Sequence, residues 1–447
     1  MAARIGFINI GHPDYPNEVG ERFAARAMDA LRDRGILPIS DGIAHTDPGS
    51  AASRGLEMAG ERLDGVIVWL GTWVEASTAV AAIREIEHLP LAVWTFGMYE
   101  ENGRRESTGS FVAGCVMKGA LDRMGYRFTN IIGFPDEPKA YARAVDFSLA
   151  AHALQQLKRT RIGLVGYASM SMYPGTFDHL LLRRHIGPEV VHFDTYTLVR
   201  LAERLDFSDL RGLIDDLTAG MRIEVDAERL AKPARLYGAL RRLADRHALH
   251  ALNVKCQYEL SQEWGMTACV PLSRLADEGL VCACEGDVML SATQCMLAAL
   301  TGDTVTYGDI LDLTGDTMLL SACGFAPTCL AKGAREATPE CPAAVIRELD
   351  YPGFDGVISS CVLEQGSVTF ARLVEGRGDY RLVYGTGTGV ETDLRQGRFP
   401  ALNVRLDGDP QRLLDTIASQ HFALCYGDVS SRLEELCGML GIASERV

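Results

Sequence analysis

The chain has 447 residues, and its 44 Lys and Arg against 59 Asp and Glu give a formal net charge of −15. So acidic a chain is a poor partner for nucleic acid or for an anionic membrane surface, because both need a basic face. Its 47% hydrophobic and 23% charged residues are typical of a globular protein. At about 150 residues per domain, this length predicts about three domains.

The N-terminus and the lack of long apolar runs predict a cytoplasmic protein. The first residues, MAARIGFINIGH, hold an apolar run too short for the core of a signal peptide. No stretch reaches about 18 uninterrupted apolar residues, so no transmembrane helix is expected. The twelve cysteines lie mostly in apolar surroundings without paired C-x-x-C spacing, which predicts buried free thiols rather than a zinc site.

The first third of the chain alternates apolar strands with helices. Strands are predicted over 4–10, over the run VIVWLG and over 91–97, with helices over 17–34 and 74–86. Uniformly apolar strands separated by helices predict a parallel sheet covered on both faces. Ligands in such sheets gather beyond the carboxyl ends of the strands.

A second alternating unit and a different C-terminal pattern follow. The long predicted helix 136–157 ends an N-terminal α/β domain, 1–157, and the run RIGLVG opens a central α/β domain, 158–340. After about residue 340, short strands with Gly- or Asp-containing turns predict a mainly antiparallel arrangement. The third domain, 341–447, is therefore predicted to be rich in β-structure.

Several familiar catalytic motifs are missing from the sequence. It contains no G-x-x-x-x-G-K-[ST], no G-x-S-x-G and no H-E-x-x-H, which argues against P-loop, serine hydrolase and zincin chemistry. The run GTGTG at 385–389 opens no helix, so it predicts a hairpin turn rather than a dinucleotide loop.

Acidic residues after buried strands are the strongest chemical signal. Glu259 follows one predicted strand, and Glu285-Gly286-Asp287 follows the apolar run GLVCAC and precedes a helix over 288–300. Clustered carboxylates in such places are costly unless compensated, usually by a divalent cation. The alternative is that Asp287 merely caps the helix, and the two roles do not exclude each other. His421 begins the strand HFALCYGDV, where a lone histidine is either structural or a ligand.

These segments resemble the L-fucose/L-arabinose isomerase family. The resemblance rests on the stretch 253–301 with its E-G-D segment, on GHPDYPNEVG, on VIVWLGTWVEAS and on the closing run QHFALCYGDVSSRLEELCGMLGI. It spans most of the chain. It implies two flavodoxin/Rossmann-like three-layer α/β domains followed by a C-terminal domain with a mainly antiparallel β-barrel.

The resemblance also implies an activity in carbohydrate metabolism. Members of the family are metal-dependent aldose–ketose isomerases, which act on a sugar through a cis-enediol intermediate. The cofactor is usually Mn²⁺, or another divalent cation. The protein would be a homo-oligomer, a trimer or hexamer, with a small-molecule sugar as its substrate.

Site residues follow from the resemblance position by position. Glu259 and Asp287 match the acidic residues that bind metal and would serve as the acid–base pair, and His421 matches the histidine ligand. Glu285 is either a fourth ligand, a residue that orients ligands, or a contact to substrate. Relatives carry a histidine where this chain has Ala322. This departure indicates either a three-ligand site or altered chemistry.

Weaker candidates for sugar recognition lie in loops. Trp73 follows a strand end and would stack on a sugar face, or pack within its loop. Ser110, in the run STGSF, offers a hydroxyl that would otherwise bond the local backbone. Tyr173 and Arg184 are further candidates. The alternatives to an aldose–ketose isomerase are an epimerase or isomerase of an acidic or modified sugar, and a non-catalytic sugar-binding protein.

Overall fold

A computed structural model describes residues 2–338, 342–376, 378–393 and 398–447, and the side chains of all of these except 207–209. The chain forms two compact units. One comprises the residues up to Gln155 together with Ser431–Gly441, and the other comprises Gln156–Ser430 with Ile442–Val447. The predicted domain boundary between 340 and 341 lies outside the described residues.

Strands and helices alternate through the first part of the chain. The strands before residue 160 are β1 Arg4–Ile10, β2 Leu37–Ile39, β3 Ala44–His45, β4 Gly65–Leu70, β5 Leu91–Thr95, β6 Tyr99–Glu101, β7 Arg104–Glu106 and β8 Thr129–Ile132. The helices that begin before residue 160 are α1 Asn17–Arg32, α2 Pro48–Gly60, α3 Ala76–Glu85, α4 Ser110–Met124 and α5 Pro138–Arg159.

A parallel sheet forms the centre of the first unit. Its order is β2-β1-β4-β5-β8, with β3 also paired to β1, and every pairing is parallel. Every residue of β4 and β5 is buried, as expected of strands covered on both faces. The indole N–H groups of Trp69 and Trp94 donate to the carbonyls of Gly20 and Gly133, at 3.2 and 2.9 Å. The predicted parallel sheet is confirmed.

The second unit contains both parallel and antiparallel sheets. Its strands are β9 Arg161–Val165, β10 Glu189–Phe193, β11 Met221–Ile223, β12 Ala251–Val254, β13 Val281–Cys284, β14 Thr306–Thr314, β15 Thr317–Ser321, β16 Ala344–Glu348, β17 Val357–Ser360, β18 Gly366–Glu375, β19 Tyr380–Val390, β20 Ala401–Leu406 and β21 His421–Tyr426. Its helices are α6 His179–His185, α7 Thr195–Glu203, α8 Phe207–Thr218, α9 Ala231–His247, α10 Cys269–Asp277, α11 Val288–Thr301 and α12 Pro410–Thr416. The last two elements of the chain are α13 Ser430–Leu440 and β22 Ala443–Arg446.

The parallel sheet of the second unit has the order β10-β9-β12-β13. All three of its pairings are parallel. The chain leaves β13 at Cys284, passes through Glu285-Gly286-Asp287 and enters α11. The predicted acidic segment therefore lies beyond the carboxyl end of a strand, where ligand sites of such sheets are found.

The antiparallel sheet supplies the other side of the candidate site. Its pairings run β18-β21-β14-β15-β20-β19, and β19 also pairs with β18, so the hydrogen-bonded path is closed. The sheet begins at Thr306, earlier than the change of pattern near 340 indicates. In TYGDILDLT of β14 the adjacent Ile310 and Leu311 break the apolar–polar alternation of a strand, at a point where the pairing with β15 shifts register.

The glycine-rich run 385–389 lies inside β19, so the predicted hairpin turn is wrong. The glycines have a packing reason instead. A Cβ on Gly385 would overlap the ring of Phe370 in the neighbouring strand β18. Among the described residues, no helix combines the length and the apolar character that a membrane crossing requires.

Candidate functional site

The turn between β13 and α11 is held by the neighbouring strand. Glu285 and Gly286 both have left-handed backbone angles, with φ of +76° and +71°. The N–H of Glu285 donates to the carbonyl of Val254 at 3.0 Å, and that of Gly286 to Oδ1 of Asn253 at 2.8 Å. Nδ2 of Asn253 in turn donates to the carbonyl of Asp287 at 2.8 Å. The end of β12 thus fixes the position of both acidic residues.

Asp287 is a buried carboxylate whose two oxygens are both engaged. Oδ1 accepts from the N–H of Leu290 at 2.8 Å, which caps α11. Oδ2 lies 2.7 Å from Nη1 of Arg372 and 2.8 Å from Nδ1 of His421. Arg372 is 1% exposed and also donates to the carbonyl of Pro174. Burial alone would raise the pKa of Asp287, but the charge of Arg372 and the His421 ring lower it far below its usual range.

His421 is placed between Asp287 and two further carboxylates. Its Nε2 lies 3.3 Å from Oε2 of Glu285 and 3.3 Å from Oδ1 of Asp309. Asp309 is directly opposite His421 in the antiparallel pairing of β14 with β21. Burial disfavours the charged ring, but the hydrogen bonds to Asp287, Asp309 and Glu285 raise the pKa of His421 well above its ordinary value.

Glu285 has a second neighbour on its other oxygen. The thiol of Cys323 donates to Oε1 at 3.3 Å. Burial and the nearby Cys323 raise the pKa of Glu285, against the opposing effect of His421. The adjacent Ala322, at the position where the family resemblance leads one to expect a histidine, is buried.

The ligand atoms of Glu285, Asp309 and His421 all lie within 4.8 Å of one another, close enough to hold a single ion. Two carboxylates with one imidazole nitrogen suit a divalent cation such as Mn²⁺ or Mg²⁺. The contact from Nδ1 to Asp287 leaves Nε2, which faces Glu285 and Asp309, as the nitrogen that could bind a metal. A metal-binding histidine almost always has its other nitrogen held by a carboxylate or carbonyl in this way. These residues therefore fit a cation.

The structure brings together only part of the predicted ligand set. Asp287 and His421 are in contact, whereas among the described residues Glu259 is in no group of side chains close enough to share an ion. Glu259 begins a π-helical turn, Glu259–Trp264, and its side chain is 47% exposed. Its Oε1 lies 2.8 Å from Nζ of Lys255, which lowers the pKa of Glu259 despite the opposing effect of burial.

Asp309, which contacts His421, and Arg372, which contacts Asp287, are not predicted by the sequence pattern. Each lies in a strand of the antiparallel sheet, far along the chain from the E-G-D segment. The sequence around Arg372 could have identified this residue, because it is a lone cation within the apolar run VTFARLV of β18. A buried arginine in such a strand requires an acidic partner.

The weaker candidates for sugar contact differ in their surroundings, and Tyr173 directly precedes Pro174, whose carbonyl accepts from Arg372 of the site. Trp73 is partly buried and packs against the apolar core of the first unit. Ser110 is buried, and its hydroxyl donates to the carbonyl of Leu70 at 2.5 Å and accepts from the N–H of Phe96 at 3.1 Å, so it bonds distant backbone rather than that of its own turn. Tyr173 and Arg184 are exposed, Tyr173 to 79%. Sugar contact by Trp73, Ser110, Tyr173 or Arg184 stays a prediction.

Comparison with characterised proteins gives relatives of nearly the same length. No family model matches the chain. The sulfoquinovose isomerase of Alkalicoccus urumqiensis is 24% identical over 382 residues, which cover 83% of this chain and 84% of that protein. Those of Priestia aryabhattai and Priestia megaterium are each 22% identical over 454 residues of alignment, 98% of both chains. The chain is an isomerase. The predicted enzyme class, an intramolecular oxidoreductase, is confirmed.

The turn that holds Glu285 and Asp287 is closely packed, and a substitution at Gly286 tests this packing. A Cβ on Gly286 would collide with the carbonyl of Tyr167, and its φ of +71° is unfavourable for other residues. We expect Gly286→Ala to lower the free energy of unfolding by more than the roughly 1–2 kcal/mol of the backbone term alone. Urea unfolding measures this cost.

Gly279→Ala is the matched control for that substitution. Gly279 has φ of +94° but nothing within 4 Å of the added Cβ, so only the backbone cost remains. Equal losses of stability in the two variants would contradict a tightly fixed turn.

Proposed function

We propose that this isomerase interconverts the aldose and ketose forms of sulfoquinovose, a sulfonated sugar, at a divalent cation held by Glu285, Asp309 and His421. The observation that supports the site is the buried group of two carboxylates around Nε2 of His421. The substrate is suggested by the three sulfoquinovose isomerases that resemble the chain along most of its length.

The chain's own residues prepare the site for such a cation. Asp287 accepts from Nδ1 of His421 and so directs Nε2 at the two carboxylates. Arg372 neutralises Asp287, which leaves the negative charge of Glu285 and Asp309 available to a cation. The ion, Mn²⁺ by the family resemblance, would supply Lewis-acid polarisation of the sugar oxygens when bound.

Proton transfer between C1 and C2 of the sugar, through a cis-enediol, needs a carboxylate that reaches the substrate. Asp287 is 3% exposed and accepts bonds on both oxygens, so we assign it to positioning His421. Glu259 is exposed, and Lys255 favours its ionised form, so it remains the predicted acid–base group. The direct ligation of metal by Glu259 and Asp287 remains a prediction from the resemblance.

The finer features of the proposal rest on the resemblance to the L-fucose/L-arabinose isomerase family. These are the three-domain layout, the C-terminal barrel, the trimeric or hexameric assembly and the cytoplasmic location. The closed pairing path through β14, β15 and β18–β21 supports the barrel. Sedimentation of the purified protein would test the assembly.

A panel of aldoses tests the proposed reaction. The purified protein with Mn²⁺ is incubated separately with sulfoquinovose, D-glucose and L-fucose, and products are identified by NMR. We expect conversion of sulfoquinovose to its 2-ketose and little or none of glucose, which has the same ring without the sulfonate. An epimer of sulfoquinovose as the product, or binding without conversion, would contradict an aldose–ketose isomerase of this substrate.

Glu259→Gln separates proton transfer from metal binding. If Glu259 transfers the proton, kcat falls by about 10²–10⁴-fold while Mn²⁺ is still bound. Glu263→Gln, at an exposed position of the same π-helical turn, is the control and retains turnover. Normal kcat in Glu259→Gln would remove the acid–base assignment, and loss of Mn²⁺ would return Glu259 to the ligand set.

A further inference from the structure

Two thiols lie beside Glu285, one of the two carboxylates that face His421. Cys284, the last residue of β13, is fully buried, and Cys323, two residues beyond β15, is partly exposed. Their Sγ atoms are 3.8 Å apart, and neither is in a disulfide. The pair joins the parallel sheet to the antiparallel sheet within the second unit.

The pair is connected directly to the candidate site. Cys284 immediately precedes Glu285, and the thiol of Cys323 donates to Oε1 of that residue at 3.3 Å. Cys284 also shares a 2.8 Å contact with the hydroxyl of Tyr307, whose ring packs edge-on against His421. Any covalent change in this pair therefore acts on Glu285 and its surroundings.

We propose that Cys284 and Cys323 are a redox modification site, at which a hydroperoxide forms a reversible disulfide that disables Glu285. A disulfide requires an S–S distance of about 2.05 Å, so the two sulfurs must approach by roughly 1.8 Å from their 3.8 Å separation. Cys323 thereby loses the S–H that bonds Glu285 and moves with respect to its carboxylate.

The chemistry balances with the hydroperoxide as the two-electron oxidant. The partly exposed sulfur of Cys323 attacks the O–O bond, which breaks to give an alcohol, or water from hydrogen peroxide, and a sulfenic acid. The sulfur of Cys284 then displaces hydroxide from the sulfenic sulfur as the S–S bond forms, and the proton lost by Cys284 joins that hydroxide to give water. A dithiol reverses the reaction by exchange and is itself oxidised.

Disulfide formation is independent of the proposed function, whereas the losses of Mn²⁺ binding and of turnover rest on it. Wild-type protein is treated with hydrogen peroxide, alkylated, digested without reduction and analysed by mass spectrometry. We expect a cross-linked peptide pair containing residues 284 and 323, lighter by two hydrogens than the separate peptides. Mn²⁺ binding and isomerase turnover should each fall at least about tenfold and recover with dithiothreitol.

Two variants test whether the effect of peroxide requires Cys323. Cys323→Ser should keep its own untreated Mn²⁺ affinity after peroxide, whereas Cys295→Ser, at a buried thiol in α11, should lose it as the wild type does. Absence of the cross-link in the wild type, or a cross-link that leaves Mn²⁺ binding unchanged, would overturn the proposal. The cross-link is measured even if untreated protein binds no Mn²⁺ and converts no sugar, so failure of the proposed function is distinguishable from failure of disulfide formation.

Discussion

Replacing Glu285 by Gln abolishes the isomerase, with an expected loss of kcat/KM of at least about 10³-fold. Glu285 contributes one of the two carboxylates that face Nε2 of His421. Removing its charge weakens a site that is expected to contribute several kcal/mol to the transition state, and each 1.36 kcal/mol is about a factor of ten. Steady-state kinetics at saturating Mn²⁺ measure the loss.

Asp309→Asn should have a similar effect, since Asp309 supplies the other carboxylate at the same 3.3 Å distance. Asp312→Asn is the matched control, because Asp312 is an exposed acid in the same strand β14. Wild-type turnover in both Glu285→Gln and Asp309→Asn would exclude this group as the active site. A loss confined to Glu259→Gln and Asp287→Asn would favour the ligand set predicted from the family.

Replacing Arg372 by Met lowers the free energy of unfolding by about 3–5 kcal/mol, because it leaves the carboxylate of Asp287 buried without its counter-charge. Asp287→Asn is expected to cost a similar amount, since it leaves the Arg372 guanidinium unpaired at 1% exposure. The double variant should be more stable than the sum of the two losses implies. Urea unfolding of the four proteins in EDTA measures the coupling.

The ion pair of Asp287 with Arg372 also predicts how the free energy of unfolding changes at acid pH. The pKa of Asp287 in the folded protein lies below its ordinary value of 3.8, so its ionised form is stabilised by folding. The stabilisation by ionised Asp287 is fully present at pH values above this ordinary pKa. It is lost as the pH falls from there towards the pKa of the folded state. The stability difference between wild type and Asp287→Asn should therefore hold near neutral pH and shrink below about pH 4. A difference that grows on acidification would contradict an ionised Asp287.

The sequence predicts those parts of the site that depend on local order. Glu285 and Asp287 are identifiable because an apolar strand, an acidic turn and a helix follow one another directly. Asp309 is not, because only the register of β14 against β21 places it opposite His421. The contact of Cys323 with Glu285 likewise requires two strands that are distant along the chain.

The fold likewise contains elements that the local sequence predicts and elements that depend on contacts distant along the chain. Uniformly apolar strands such as β4 and β5 are evident, because burial on both faces leaves no polar position. β14 is half exposed, and the adjacent Ile310 and Leu311 at its register shift interrupt the alternation that identifies such a strand. In β19, the glycines are required by the close approach of Phe370, a tertiary contact that composition cannot reveal.

The most direct test of the cation site is a titration with Mn²⁺ followed by EPR, in which free ion gives the signal and bound ion does not. The account predicts a single tight Mn²⁺ per chain in the wild type and in Glu259→Gln, and its loss in Glu285→Gln. Undiminished binding in Glu285→Gln, together with loss in Glu259→Gln, would contradict the assignment of Glu285, Asp309 and His421 as the ligands.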